Sequence, residues 1–419
     1  MKIPTNGSSY LSFEGIPYAN PPMRFSKPVL SVSNPGPSPY QAIMKKPQCV
    51  APDVKLPLLP SEDCLYLDIY VPRRLAQINP QLPVMVWFHG GGFLYAGPHI
   101  NPENLVSSGV IVVKVNYRLG ALGFLSTGDD VAKGNWGLWD QRAALVWLRN
   151  NIQSFGGNKD NITVFGNSAG SASVAFQLLS PHSKGLFSRA VLLSGSATST
   201  WGLQRHPMAL AHRLGRALGC DRVNNDLITC LRSKSAEDIQ KKTIEIRNAM
   251  PVYPQLTDYL FVPVVDGDFI LDEPRRMLKN SSHLQRQLGT GCDVLLGITN
   301  NEAAHVSLRT ELPKQPKFGE FFQREMLAGE LTQRYGKTNA TAERVLDDFY
   351  RHDADLLSLN VAHVADAHGD PAFFIPVMET AIAFSAAQQT VVGQIQCIIS
   401  LPSYITECML VCMFSCLYV

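Results

Sequence analysis

Residues 162–165 read Ile-Thr-Val-Phe, all β-branched or aromatic, and run without a break into Gly166-Asn167-Ser168-Ala169-Gly170 and then ASVAFQLL at 172–179. The first piece has the composition of a buried strand, the last that of an apolar helix. A strand that turns straight into a helix brings two backbones closer than a Cβ allows, so glycine is required on both sides of the corner. The residue at the apex, Ser168, is then pushed out of the sheet, with a helix N-terminus behind it that favours developing negative charge. A Gly-x-Ser-x-Gly string alone is a weak signal. Lying between a strand and a helix, it is a nucleophile elbow, and it commits the chain to an open sheet with this corner at its carboxyl edge.

The neighbouring segments agree. Residues 84–88 (VMVWF), 110–115 (VIVVKV), 190–193 (AVLL) and 293–297 (DVLLG) are further short apolar runs, the pattern of strands covered on both faces. Between the second and the elbow, 137–155 carries Leu138, Leu145, Leu148, Ile152 and Phe155 at helical spacing, stopped by Gly156-Gly157. Strands alternating with helices define an α/β chain with a mostly parallel central sheet and helices on both faces. Residues 310–387 read as mainly helical, and no linker divides the 419 residues into independent domains. Lys+Arg of 37 against Asp+Glu of 35 leaves +2, which argues against a nucleic-acid partner. No cofactor and no metal-ligand set is expected.

The strand at 84–88 ends in His89-Gly90-Gly91-Gly92. Acyl transfer passes through a tetrahedral oxyanion. Its donors are the N–H after the nucleophile and N–H groups of a glycine-rich loop after an earlier strand. That assigns Ala169, Gly91 and Gly92 to the oxyanion hole. A flexible loop is the bland alternative, but three glycines after a buried strand carry an entropic cost.

At this point the chain resembles the type-B carboxylesterase/cholinesterase family of α/β-hydrolases. The resemblance is carried by FEGIPYANPP (13–22), SEDCLYLDIYVP (61–72), PVMVWFHGGGF (83–93), VVKVNYRLGALGFLS (112–126), residues 134–170 and GITNNEA (297–303). It implies hydrolysis of small-molecule carboxylic esters through a Ser-Glu-His triad, although some relatives have lost catalysis and serve in adhesion. Ser168 matches the nucleophile and Glu302 the acid, with Ala303 where a glycine is usual. Trp201 matches the acyl-pocket wall, with plain core packing as the alternative. Asn167 replaces the glutamate usual before the nucleophile. Val54 stands where cholinesterases place a tryptophan that stacks on quaternary ammonium, so choline esters are not the expected substrate.

The resemblance also implies a histidine roughly a hundred residues after the acid, and none occurs after His368. His363 and His368 precede GDPAFFIPVMETAIAFSAA, which is the wrong order, and His305 is a loop residue three positions from Glu302. No catalytic histidine is assigned. A signal peptide and first strand are implied ahead of Phe13 and are not seen. The expectation is a shortened chain: an incomplete hydrolase domain over 1–387 and a divergent apolar, Cys-rich tail over 388–419. That tail holds one charge, Glu407, and the 12 residues after it fall short of the roughly 20 a membrane span needs.

Cys49 and Cys64 match the family's first disulfide loop, and Cys220 and Cys230 the second, which implies an oxidising, extracellular setting. Cys292 and the tail cysteines have no assigned partner. Asn280 and Asn339 head glycosylation sequons, as does Asn6; a fourth, at Asn161, leads into a strand and is expected to be silent. Two readings remain: a serine carboxylesterase, active when complete, or a catalytically silent binding relative.

Overall fold

The computed structural model describes residues 9–30, 40–51, 60–73, 81–97, 100–220, 226–250, 259–288, 291–299, 302, 344, 369–388 and 393–397. Among these residues eight strands form one sheet in the order β1-β2-β4-β3-β5-β6-β7-β8. They are β1 (Tyr10–Pro17), β2 (Tyr66–Pro72), β3 (Leu82–Phe88), β4 (Ile111–Val115), β5 (Gly157–Asn167), β6 (Arg189–Leu193), β7 (Asp293–Thr299) and β8 (Gly393–Cys397). The β1–β2 and β2–β4 pairs are antiparallel, and every other pair is parallel.

The two-residue period of a strand sorts the apolar runs between two cores. Val84, Val86 and Phe88 enter the larger one, with Ile111, Val113 and Val115 of the adjacent strand. Met85 and Trp87 enter the smaller one, with Val112, Phe165 and Val191. Helices cover both faces: α2 (Ala169–Leu179) contributes Val174 and Phe176 to the larger core, and the short helix Glu103–Ser107 contributes Leu105 and Val106 to the smaller. The amphipathic segment expected over 137–155 is α1 (Trp136–Asn151) followed by a 3-10 turn at Ile152–Phe155.

The chain leaves β3 for β4 on one side of the sheet and returns to β5 on the other. In a parallel sheet such a switch point opens a crevice at the strands' carboxyl ends. Register aligns the two exits, since Phe88 pairs with Gly166. The glycine loop and the serine corner therefore emerge side by side.

One buried ion pair braces this end. Arg118, just after β4, donates from its backbone N–H (3.1 Å) and Nε (2.7 Å) to Asp140 Oδ2, and from Nη2 to Oδ1 (2.7 Å). Asp140 lies in α1 and is fully buried. Gly120, two residues on, donates to the Phe93 carbonyl at 2.7 Å, so the brace reaches the glycine loop.

Both expected disulfides are present, Cys49–Cys64 and Cys220–Cys230, at sequence separations of 15 and 10. Cys292 is buried and belongs to neither. Replacing both Cys49 and Cys64 by serine is expected to cost about 3 kcal/mol through loop-closure entropy. The loss would be read as a lower urea midpoint, with the slope free to rise because the unbridged unfolded chain is more expanded. Equal midpoints for the variant and the oxidised parent would remove the bridge from the stability account.

The segment expected to be a divergent tail supplies β8. The backbone of Gly393–Cys397 pairs with Leu295–Thr299 and forms the outer edge of the sheet. Among the described residues no helix is long and apolar enough to cross a membrane.

Candidate active site

Ser168 stands between β5 and α2 at φ 56°, ψ −121°. A non-glycine residue there is strained, and it persists because its surroundings leave no alternative. Its N–H donates to the Leu193 carbonyl at the end of β6 (2.8 Å), and its carbonyl accepts from Ala172 N–H (2.9 Å) to start the helix. The flanking glycines meet each other. A Cβ on Gly166 would sit 2.3 Å from the Gly170 carbonyl carbon, and one on Gly170 would sit 2.0 Å from the Phe88 carbonyl oxygen. The elbow is thus in backbone contact with the end of β3.

The glycine loop lies against the nucleophile. A Cβ on Gly90 would be 3.4 Å from Ser168 Cβ and 2.7 Å from the Asn167 carbonyl oxygen. Gly91 has φ +111°, and a side chain there would strike the Tyr95 carbonyl at 2.2 Å. The loop folds back on itself: Leu94 and Tyr95 N–H both donate to the Gly91 carbonyl, and Gly97 N–H to that of Gly90. Arg247, in α3 (Ala236–Asn248), holds its rim by donating from Nη1 to Tyr95 Oη at 2.5 Å.

His89 is not a free base. Its ring stacks on Tyr117 at 4.4 Å, its Nδ1 lies 2.8 Å from the Gly90 carbonyl, and burial pushes its pKa down to about 4. His182 is held by Asp268 (3.0 Å), and His283 Nε2 contacts the Leu179 carbonyl (3.0 Å). Among the described residues no hydrogen bond joins the Ser168 hydroxyl to a histidine. His305, His363 and His368 lie outside the described residues.

Glu302 follows β7. One oxygen, Oε1, accepts from the Thr299 N–H and from the Ser194 hydroxyl, both at 2.6 Å. Ser194, which sequence reasoning missed, sits just past β6 at φ 56° and donates its own N–H to the Gly297 carbonyl (2.8 Å). The next residue, Gly195, passes so close to the nucleophile that a Cβ would lie 2.6 Å from the Ser168 carbonyl oxygen. The loop after β6 thus touches the serine corner and holds the acid. The signal for Ser194 was its place immediately after a strand of the same parallel set.

Burial raises the Glu302 pKa, opposed by the hydrogen bonds from Ser194 and Thr299. The sign follows. The folded chain keeps this proton at a pH where the unfolded chain, with an ordinary carboxylate near pH 4.3, has released it. Stability therefore falls as pH rises from that value through the folded pKa, then levels. Glu302→Gln is expected to flatten this part of a urea-midpoint-against-pH profile; an unchanged slope would contradict the burial account.

Trp201 is buried. Its indole N–H donates to the Ala372 carbonyl (3.2 Å), and its ring packs near Phe373 (5.6 Å) and Tyr259 (6.4 Å). Tyr259 in turn covers Gly92, whose hypothetical Cβ would lie 2.8 Å from the ring edge. Trp201 is thus one ring removed from the glycine loop. Asn167 donates from Nδ2 to the Leu193 carbonyl at 3.3 Å, and no acid occupies that position. Asn280 is exposed, though its Oδ1 accepts from His283 N–H (3.0 Å). Asn161 lies within β5, with its Oδ1 2.5 Å from Arg189 Nη1. Val54 and Asn339 lie outside the described residues. Among the described residues no group of three or more His, Cys, Asp or Glu side chains could hold a metal ion.

A strained serine on a strand–helix corner, with a glycine loop against it and a buried acid after a later strand, is the framework of an α/β-hydrolase. The chain belongs to the carboxylesterase family, whose sequence model matches residues 2–392. It is 36% identical to the bile salt-activated lipase of Bos taurus over 367 residues, 82% of this chain and 58% of the relative. It is 38% identical to the acetylcholinesterase of Bungarus fasciatus over 327 residues, 73% of this chain and 52% of that one. It is 35% identical to Neuroligin-2 of Mus musculus over 336 residues, 70% of this chain and 38% of that one. The chain spans about half the length of the curated relatives it matches.

Proposed function

We propose that this protein hydrolyses small-molecule carboxylic esters through an acyl-enzyme on Ser168. The observation that carries the reading is the Ser168 backbone at φ 56°, ψ −121°, with Gly90, at the start of the glycine loop, in close approach to it. A binding protein has no physical need for a strained serine facing a glycine loop. The N–H groups of Gly91, Gly92 and Ala169 are the oxyanion donors, and Glu302, held by Ser194, is the acid that orients the base. Trp201 and Tyr259 form the wall that limits the acyl group. No cofactor takes part. The two disulfides support an oxidising, extracellular setting, and the exposed Asn280 supports a glycoprotein.

A second reading, of a catalytically silent binding protein, is favoured by one observation: no described histidine is hydrogen-bonded to Ser168. Pre-steady-state hydrolysis of a nitrophenyl ester separates the two. An acyl-enzyme releases nitrophenolate in a burst, with slower turnover after it. A burst that Ser168→Ala abolishes supports the esterase. A trace matching that of the variant establishes the silent protein instead.

A further inference from the structure

β5 and β6 end side by side, since Asn167 pairs with Leu193. Each is followed by a serine in the left-handed region: Ser168 and Ser194 both have φ 56°. Each donates its N–H to the next strand across, Ser168 to the Leu193 carbonyl and Ser194 to that of Gly297, both at 2.8 Å. The two corners then meet. A Cβ on Gly195 would lie 2.6 Å from the Ser168 carbonyl oxygen and 3.2 Å from Ser171 Cβ. At that contact the hydroxyl of Ser171, in the first turn of α2, donates to the Gly195 carbonyl at 2.7 Å. Ser171 and Gly195 are both buried.

A serine inside a helix often returns its proton to a carbonyl of the same helix, as Ser173 does to Ala169 (2.8 Å). Ser171 directs its proton to another loop. The Gly195 carbonyl is buried, and a buried carbonyl left without a donor is costly. A serine at φ 56° is strained and stays only where its surroundings over-determine it. The Ser171 bond supplies such a constraint on the residue directly after Ser194. Ser194 in turn donates its hydroxyl to Glu302 Oε1 at 2.6 Å. The path from nucleophile to acid is therefore short: along one helical turn from Ser168 to Ser171, across to Gly195, back to Ser194 and on to Glu302. We propose that Ser171 is a positioning residue for the acid. Its bond to Gly195 fixes the Ser194 corner, and through it the Glu302 carboxylate, against the helix that carries the nucleophile. This rests on the roles given to Ser168 and Glu302 above, but its geometry does not depend on the chain turning over substrate.

The test is the titration of Glu302 in the full chain, read by carboxyl 13C NMR, with Glu302→Gln identifying its signal. Ser194→Ala removes a hydrogen bond to the charged carboxylate, so the Glu302 midpoint is expected to rise by about one pH unit. Ser171→Ala is expected to move it in the same direction. Ser171→Ala combined with Ser194→Ala should sit no higher than Ser194→Ala alone, because Ser171 acts through that hydroxyl. Ser173→Ala removes a hydroxyl of the same helix that bonds elsewhere, and is expected to leave the midpoint at the parent value. An unchanged midpoint in Ser171→Ala, additive shifts in the double variant, or an equal rise in Ser173→Ala would reduce Ser171 to a packing residue and overturn the proposal. Failure of the esterase reading shows separately, as a parent chain without a burst. Where the parent does turn over, Ser171→Ala should lower kcat by about tenfold with KM held.

Discussion

Ser168→Ala is expected to remove nearly all ester turnover, leaving only the residual catalysis of the oxyanion donors and of binding. A hydroxyl is a weak nucleophile whose reactivity depends on an adjacent base and on an oxyanion site. Alanine at the apex of the corner keeps the backbone contacts to Leu193 and Ala172, so the oxyanion donors stay in place. What is lost is the atom that forms the acyl bond. In a serine protease whose triad has been dissected by substitution, the loss is on the order of a million-fold in kcat. Fluorescence and urea unfolding should show the variant as stable as its parent. Alanine relieves none of the backbone strain and removes only a half-buried hydroxyl. The measurement is turnover of a nitrophenyl acetate at saturating ester. Retained turnover would place the nucleophile elsewhere.

Asp140→Asn is expected to produce the largest loss of stability of any single change considered. The carboxylate receives three hydrogen bonds from Arg118, and both side chains are buried. Asparagine matches its shape but leaves the guanidinium charge without a counter-charge. Breaking a buried pair in this way costs about 3 to 5 kcal/mol. The urea midpoint should fall accordingly, and a double variant, Arg118→Met with Asp140→Leu, should recover much of the loss, because the pair's desolvation cost is removed as well. The loop after β4 also bonds to Phe93 in the glycine loop. Asp140→Asn should therefore loosen the oxyanion site at denaturant concentrations below the global transition. A midpoint within about 0.5 kcal/mol of the parent, the range of an ordinary surface change, would show that the pair is not bearing on stability.

The parts of the fold legible in the sequence are those whose signal is local. Val84–Phe88 and Ile111–Val115 are buried on both faces, so they appear as continuous apolar runs. The elbow and the glycine loop need glycine wherever the backbones touch. β1 and β2 escaped periodicity because their pattern is set by pairing with partners far along the chain: β1 carries Glu14 and Gly15 in mid-strand, with a register shift between Phe13 and Ile16. β8 escaped for the same reason, since Gly-Gln-Ile-Gln-Cys has no apolar run and becomes a strand by adding to the edge of β7. Within the site, Ser168, Gly91, Gly92 and Ala169 followed from chemistry and spacing. Glu302 and the disulfides came only through family resemblance. Ser194 and Tyr259 came from neither, because a residue that acts by touching another loop leaves no mark in its own sequence neighbourhood.

The central claim is that Ser168 is the acyl-accepting atom of an ester hydrolase site. Its most direct test is to treat the 419-residue chain with a fluorophosphonate and locate the adduct by peptide mass spectrometry. The account predicts one phosphonyl group per chain, on the peptide containing Gly166–Gly170 and at Ser168, with none on the Ser168→Ala chain. An adduct on another hydroxyl, or equal labelling of parent and variant, would contradict it.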